Sequence, residues 1–95
     1  MIFEIDDEAL AEAEEARAYY AAIDPSLGDQ FAAAMDSAIE RIVADPKLWS
    51  PYTARTRRYV LTRFPYAVIY RVRAKVLRVL AVSHQSRRPG YWRSR

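Results

Sequence analysis

Apolar residues in the first half of the chain recur at helical spacing in two successive stretches. The first runs from Asp6 to Ala22 without Gly or Pro, and the second from Pro25 to about Ala44. Asp24 between them is suited to cap a helix, and Pro25 to occupy its first position. The spacing therefore predicts an αα-hairpin. Its apolar stripes are Ala9, Ala13, Ala16, Tyr20 and Ile23 on the first helix and Leu27, Phe31, Met35, Ala38 and Ile42 on the second.

The second half of the chain changes from helical to alternating periodicity. A connector over residues 47–56 leads to three strand candidates at 57–63, 66–72 and 75–83, which are rich in β-branched and aromatic residues. Ile2–Ile5 is a further candidate for an edge strand. The link at Arg73-Ala74 lacks the Asn-Gly signal of a tight hairpin, so its turn type stays open. The predicted order is β-α-α-β-β-β in one domain, 1–95.

Side-chain parity separates the two faces of the last two strands. One face is uncharged apart from Lys75 at the strand start, and it consists of Tyr66, Val68, Tyr70, Val72, Leu77, Val79, Ala81 and Ser83. Because burying an unpaired arginine is costly, the helices should cover this face. The opposite face is predicted to be open, half apolar and rimmed by arginine, which is typical of a protein-binding groove. It carries Ile69, Arg71, Val76, Arg78, Leu80, Val82 and His84.

Charge is divided sharply between the two halves. Residues 1–45 contain twelve acids and two bases, a formal charge of −10, whereas residues 46–95 contain thirteen bases and no acid. All of those bases except Lys47 and Lys75 are arginines, whose planar forks bind phosphate and carboxylate groups. The asymmetry favours an anionic partner, while a solvated basic surface balanced by the acidic helices is the alternative. The acids Glu8, Glu12 and Glu15 indicate a solvated helix face.

Composition excludes several classes of protein. Hydrophobic residues make up 52% of the chain, too many for a disordered protein. The uncharged runs are too short for a membrane span, and the first residues lack the pattern of a signal peptide. No Cys and a single His exclude disulfides, Cys-ligated zinc and a multi-His metal cluster. We therefore expect a cytoplasmic domain with no metal, no cofactor and no membrane partner.

Few residues on the basic half suggest chemistry. His84 ends the last strand, where an imidazole could serve in proton transfer, although no acid lies nearby in sequence to orient it. A His that bonds the backbone at a strand end is the alternative. Tyr91 and Trp92 would either stack on a base or anchor the tail by packing, and packing is favoured because a short tail needs an apolar anchor.

Several short motifs, taken in order, are similar to a known family. They are Arg57-Arg58-Tyr59-Val60-Leu61, Phe64-Pro65-Tyr66-Ala67-Val68-Ile69-Tyr70, Val79-Leu80-Ala81-Val82-Ser83-His84 and Arg87-Arg88-Pro89. Together they resemble the RelE/ParE toxin superfamily of bacterial type II toxin–antitoxin modules, over nearly the whole chain. The resemblance implies an α+β fold, β-α-α-β-β-β, with the helical hairpin on one face of a small antiparallel sheet. This agrees with the parity analysis.

The resemblance implies two activities. RelE-like members are metal-independent, ribosome-dependent mRNA endonucleases, and ParE-like members poison DNA gyrase and are not known as nucleases. For a nuclease, Tyr91 stands where the catalytic Tyr is expected, His84 would assist, and Arg63 and Arg87 would stabilise the phosphate transition state. The RelE-type Arg after the Tyr that opens the central strand is replaced here by Ala67. The ending from His84 through Arg88-Pro89 is more similar to the ParE branch.

The sequence therefore predicts a type II toxin, ParE-like and acting on gyrase, with RelE-like mRNA cleavage as the alternative and a non-toxic antitoxin-binding module as the third possibility. Only the RelE-like alternative is an enzyme. A disordered, acidic or amphipathic antitoxin segment is expected to cover the open face. The residues predicted to bind the target or the antitoxin are Ile69, Arg71, Arg78, Leu80, Val82, Arg88 and Trp92.

Overall fold

The fold is a helical hairpin packed on one face of a five-stranded sheet. This computed structural model describes residues 1–94. Its elements are β1 (Ile2–Ile5), α1 (Asp7–Ile23), α2 (Pro25–Ala44), β2 (Ser50–Thr53), β3 (Thr56–Val60), β4 (Tyr66–Arg73), β5 (Val76–His84) and a 3₁₀ turn (Tyr91–Ser94). The predicted α+β arrangement is confirmed, with one strand more than the sequence indicated.

The hairpin begins and ends as its local sequence predicts. The Asp24 carboxylate accepts a hydrogen bond from the Ser26 amide at 2.9 Å, and Pro25 occupies the first turn of α2. Close approach of the helices requires Gly28, because a Cβ atom there would lie 2.7 Å from the Ala21 Cβ. Asp6 stands at the N-cap of α1 but makes no side-chain cap bond. The predicted stripes are buried or, at Ala13, Tyr20 and Leu27, partly buried, except that Ile23 is 61% exposed.

The sheet has the order β1-β5-β4-β3-β2. The last four strands are antiparallel neighbours, whereas β1 pairs with β5 in parallel, from Ile2 opposite Val76 to Ile5 opposite Val79. The strand β2 lies within the segment predicted to be a connector. Its Pro51 obscured the signal in the sequence, but proline is tolerated on an edge strand, where its missing N–H costs no ladder bond.

A two-residue turn joins β4 to β5. Arg73 pairs with Val76, and Ala74 and Lys75 between them have φ of 50° and 65°. Positive φ at both positions is typical of a type I′ turn, whose twist matches that of the flanking strands. The turn is therefore tight although it lacks glycine, and both residues occupy a conformation that disfavours a Cβ atom.

A bulge in β5 reverses the face on which its later side chains lie. Ile69 pairs with Ala81 but Tyr70 pairs with Val79, so Leu80 is an extra residue on β5. Leu77 and Val79 face the helices as predicted, whereas beyond the bulge it is Val82 that joins the helix-side core and Ala81 that faces away. The prediction that Val82 lies on the open face is wrong, because strict alternation fails at a bulge.

The opposite face of the sheet is partly covered by the C-terminal tail. Trp92 is buried and packs with Ile69 and Ala81, and the Tyr52 ring stacks on it at 5.7 Å. This second, smaller cluster shows that the packing alternative is correct for Trp92. Trp92 and Ile69 are consequently buried rather than presented on an open face.

One carboxylate on α1 joins the helix, the bulged strand and the tail. β1 pairs with β5 only as far as Val79, so beyond that residue the edge of β5 that faces away from β4 has no strand partner within residues 1–94. There the Glu12 carboxylate accepts hydrogen bonds from the Val82 amide at 3.0 Å and from the Tyr91 hydroxyl at 2.5 Å. Glu12 therefore satisfies a strand-edge donor and anchors the tail, and it is not part of a merely solvated helix face.

The β4–β5 turn gives a prediction for stability. The double substitution Ala74→Asn and Lys75→Gly should raise the free energy of unfolding by about 1 kcal/mol, because Asn and Gly adopt positive φ readily. Urea unfolding measures the change. Ala54→Gly, in the turn between β2 and β3, is the control and should lower stability, because Ala54 does not have positive φ. Equal effects of the two changes would contradict the turn assignment.

The Glu12 junction gives a second prediction. Glu12→Ala should lower the free energy of unfolding by about 2 kcal/mol, since it leaves the Val82 amide without its acceptor. It should also raise the rate of hydrogen exchange at Val82 and the proteolysis of the tail. Glu15→Ala, on an exposed part of the same helix, should change stability by less than about 0.5 kcal/mol. Similar behaviour of the two variants would show that Glu12 does not hold the junction.

Candidate functional site

The structure divides the predicted site residues between two places on the sheet. Arg63, His84 and Arg87 come together in a groove of about 650 Å³ where β4 begins and β5 ends, which we call the strand-end groove. Arg71, Arg78 and Leu80 lie instead at the opposite end of the same strands. Arg88 is exposed in the segment that follows β5 and lines neither place.

The strand-end groove also contains residues that the sequence did not single out. Arg58 lies over the Tyr52 ring, with its guanidinium carbon 4.6 Å from the ring centroid. Both residues line the groove, with Tyr66 and Ala67 beside them. The Arg57-Arg58 pair could have indicated this position from the sequence, because alternation along β3 places one of two consecutive arginines on each face of the sheet. The contact with Tyr52 was not predictable, because β2 was not recognised.

His84 has one of its ring nitrogens engaged within its own turn. The Ser86 amide donates to Nδ1 at 3.0 Å, and the Ser86 hydroxyl lies 2.7 Å from the same atom. Because a backbone amide only donates, Nδ1 is unprotonated and the proton of the neutral ring lies on Nε2. The basic nitrogen therefore faces Ser86. A general base needs its lone pair directed at the substrate.

The hydroxyl of Tyr91 is likewise directed into the protein. It donates to Glu12, and Arg87 lies over the ring with its guanidinium carbon 4.0 Å from the centroid. Tyr91 thus supports Arg87 and holds the tail against α1. These contacts do not direct the phenol toward the strand-end groove, where the sequence-based prediction of a catalytic Tyr would require it.

Tyr66 at the edge of the groove keeps its phenolic proton at neutral pH. Burial raises the pKa of its phenol, and the neighbouring tyrosines and carboxylates of α1 raise it further. Its ring contacts His84 edge-on, with the centroids 5.0 Å apart. A phenol with a raised pKa holds its proton more firmly, so Tyr66 is unsuited to act as a base.

The other end of the sheet carries a cleft of about 990 Å³, which we call the basic cleft. It lies where β3 and β4 meet the segment that follows α2. Its basic residues are Lys47, Arg55, Arg57, Arg71 and Arg73. Apart from Arg71, none of them was singled out for binding from the sequence, although the charge count of the second half contained the signal.

Arg78 forms ion pairs with acids of the same chain. Its Nε atom lies 3.2 Å from a carboxylate oxygen of Asp6 and 3.5 Å from one of Glu4. Both acids belong to the segment around β1, the strand that pairs with β5. Arg78 is therefore part of the structural junction between β1 and β5, and its charge is not available in the way that the sequence analysis expected.

A largely apolar groove lies on the helical side of the molecule. It has a volume of about 590 Å³ and runs between β1 and the hairpin, with Phe3, Leu10 and Met35 among its apolar residues. We call it the hairpin groove. The charged residues that line it are Glu14, Arg17, Asp36 and Glu40. An apolar groove with an excess of carboxylates suits an amphipathic segment that carries basic side chains.

Two further findings concern the described part of the chain, residues 1–94. Its acids and its histidine form no cluster of three or more that would hold a metal ion. Neither helix within it combines the length and the apolar character that a membrane span requires.

Comparisons with known proteins agree with this architecture. A solved structure of the chromosomal ParDE TA system from P. aeruginosa is similar in fold, with a TM-score of 0.68 and 18% identity over 88% of this chain and 95% of that chain. No curated protein matches the sequence significantly. The family model of the ParE toxin of type II toxin-antitoxin systems, parDE, matches residues 3–89. Because the match includes both helices and nearly the whole sheet, the chain belongs to the family of ParE toxins of type II toxin–antitoxin systems.

Proposed function

We propose that this toxin arrests growth in the cytoplasm by poisoning DNA gyrase and that a cognate antitoxin neutralises it. Family membership supports the ParE-like activity over the RelE-like one. The observation that carries the choice is the state of the two candidate bases, since the Tyr91 hydroxyl and the His84 Nδ1 atom are both engaged inside the chain. Metal-independent RNA cleavage requires a base directed at the 2′-hydroxyl.

The strand-end groove supports binding better than catalysis. Its arginines, Arg58, Arg63 and Arg87, surround a partly apolar floor. Arginine with aromatic neighbours is enriched at protein–protein contacts. A gyrase poison needs such a contact surface and needs no catalytic group of its own. We therefore assign the strand-end groove to contact with the target protein.

The hairpin groove supports binding of the antitoxin. The tail covers the apolar centre of the face that the sequence predicted to be open, whereas Phe3 and Leu10 beside the hairpin groove stay substantially exposed. The lining acids favour a segment with apolar anchors and basic side chains. The sequence analysis expected an acidic or amphipathic segment on the open face of the sheet. The present proposal differs in the place and in the charge of the segment, because the acids of the hairpin, and not the arginines of the sheet, border the apolar groove.

Gyrase poisoning is tested with purified gyrase, ATP and plasmid DNA. The toxin should cause linear, protein-linked DNA to accumulate, and its induction in cells should give DNA breaks and an SOS response. Primer extension on cellular mRNA should show no codon-position cuts. Such cuts, abolished by His84→Ala or Tyr91→Phe, would establish the nuclease instead. Harmless expression of a folded protein that still binds the antitoxin would establish the non-toxic binding module.

The hairpin groove is tested by affinity for the cognate antitoxin. Leu10→Asp should weaken the complex at least tenfold, because a charge would then lie in the apolar groove. Val43→Asp is the matched control, since Val43 is similarly exposed on α2 but does not line the groove. Calorimetric titration measures both affinities. Equal affinity of the two variants would place the antitoxin elsewhere on the toxin.

A further inference from the structure

The basic cleft at the turn end of the sheet has a composition suited to anions. Among the described residues that line it, five are basic and none is acidic. Three separate segments supply the charges: the segment after α2 supplies Lys47, the β2–β3 hairpin supplies Arg55 and Arg57, and the end of β4 supplies Arg71 and Arg73. Folding therefore concentrates positive charge that is dispersed along the sequence.

A pair of arginines beside the cleft lies in an electrostatically unfavourable position. Arg71 lies directly opposite Arg78 across β4 and β5. Like charges in opposed positions destabilise a sheet. The carboxylates of Glu4 and Asp6 form ion pairs with Arg78 and reduce this repulsion. Arg71 lines the basic cleft. Arg71 is therefore the arginine of this pair whose charge an anion in the cleft would meet.

The walls of the cleft are held in place by hydrogen bonds. The Arg57 guanidinium donates to the Trp49 carbonyl at 2.8 Å, and the buried Tyr70 hydroxyl donates to the Pro46 carbonyl at 2.6 Å. The hydroxyls of Thr53 and Thr56 lie 2.7 Å apart. These contacts connect the segment after α2 to the sheet, so the cations stand on a preorganised scaffold, which lowers the entropic cost of binding.

The chemistry of the lining discriminates between kinds of polyanion. A peptide segment needs apolar anchors, and the apolar lining consists only of Pro46, Pro51, Ala54 and Val72 among the described residues. Single-stranded nucleic acids are held largely by stacking of bases on aromatic rings. The cleft lining contains no aromatic residue in the described part of the chain. Duplex backbone phosphates, which are bound by charge alone, fit best.

We propose that the basic cleft binds the phosphate backbone of duplex DNA, with Arg71 and Arg73 as its principal contacts. The choice of DNA over other duplexes rests on the proposed action at gyrase, where cleaved duplex DNA lies beside the target protein. Binding does not depend on the base sequence of the DNA, because contacts with the phosphates do not distinguish one base from another. The toxin then holds gyrase and its DNA through two different surfaces, the strand-end groove and the basic cleft.

The proposal is tested by fluorescence anisotropy with a short fluorescein-labelled DNA duplex and the full-length toxin, released from its antitoxin. Arg71→Gln and Arg73→Gln should each weaken binding at least threefold. Each should also reduce by about one the slope of log affinity against log salt concentration. Arg41→Gln is the control, because it removes the same charge from an exposed position on α2 and should change affinity by less than twofold. Circular dichroism verifies that every variant is folded.

The outcomes separate this proposal from the proposed function. Absence of duplex binding, or equal affinity of the cleft variants and Arg41→Gln, would overturn the cleft assignment even if gyrase is poisoned. Tighter binding of a single-stranded RNA of equal length through the same arginines would also overturn it. If the wild-type toxin binds duplex DNA through Arg71 and Arg73 but leaves gyrase unaffected, the cleft assignment stands and the gyrase proposal fails.

Discussion

The β-bulge at Leu80 determines which side chains of β5 lie on each face of the sheet. The Glu12 carboxylate stabilises this arrangement because it accepts a hydrogen bond from the Val82 amide just beyond the bulge. One extra residue in β5 moves Val82 into the helix-side core and Ala81 under Trp92. The same Glu12 accepts hydrogen bonds from the Val82 amide and the Tyr91 hydroxyl. The position of the tail, and with it the limits of the strand-end groove, follows from this junction.

Charge is separated in the folded toxin as it is along the chain, but not completely. The hairpin keeps most of the acids, and the sheet with its turns keeps the bases. The exception is Arg78, which Glu4 and Asp6 neutralise across the β1–β5 pairing. Three surfaces of different chemistry result. The hairpin groove is apolar and bordered mainly by acids, the strand-end groove combines arginines with aromatic rings, and the basic cleft has only basic residues among its charged lining. Different partners can therefore bind the small domain at different places.

The helices, most strands and the family were predictable from the sequence because their signals are local. Helical spacing, the Asp24-Pro25 start of α2 and the alternation along β4 depend on neighbouring residues alone. The strand β2 was missed because Pro51 weakens a pattern only four residues long. Of the residues predicted for the site, Arg63, His84 and Arg87 line one groove, whereas Val82, Ile69 and Trp92 are buried.

Both helices, most strands, the segregation of charge and the family could be inferred from the amino-acid sequence alone, since each depends on contiguous or regularly spaced residues. The tertiary structure decided which side chains share a surface. Strand register is a property of two segments, so a bulge in β5 becomes visible only against β4. The engagement of Tyr91 by Glu12 and of Arg78 by Asp6 joins residues from opposite ends of the chain. Such contacts depend on the folded geometry, and they determine which of the predicted residues remain available to a partner.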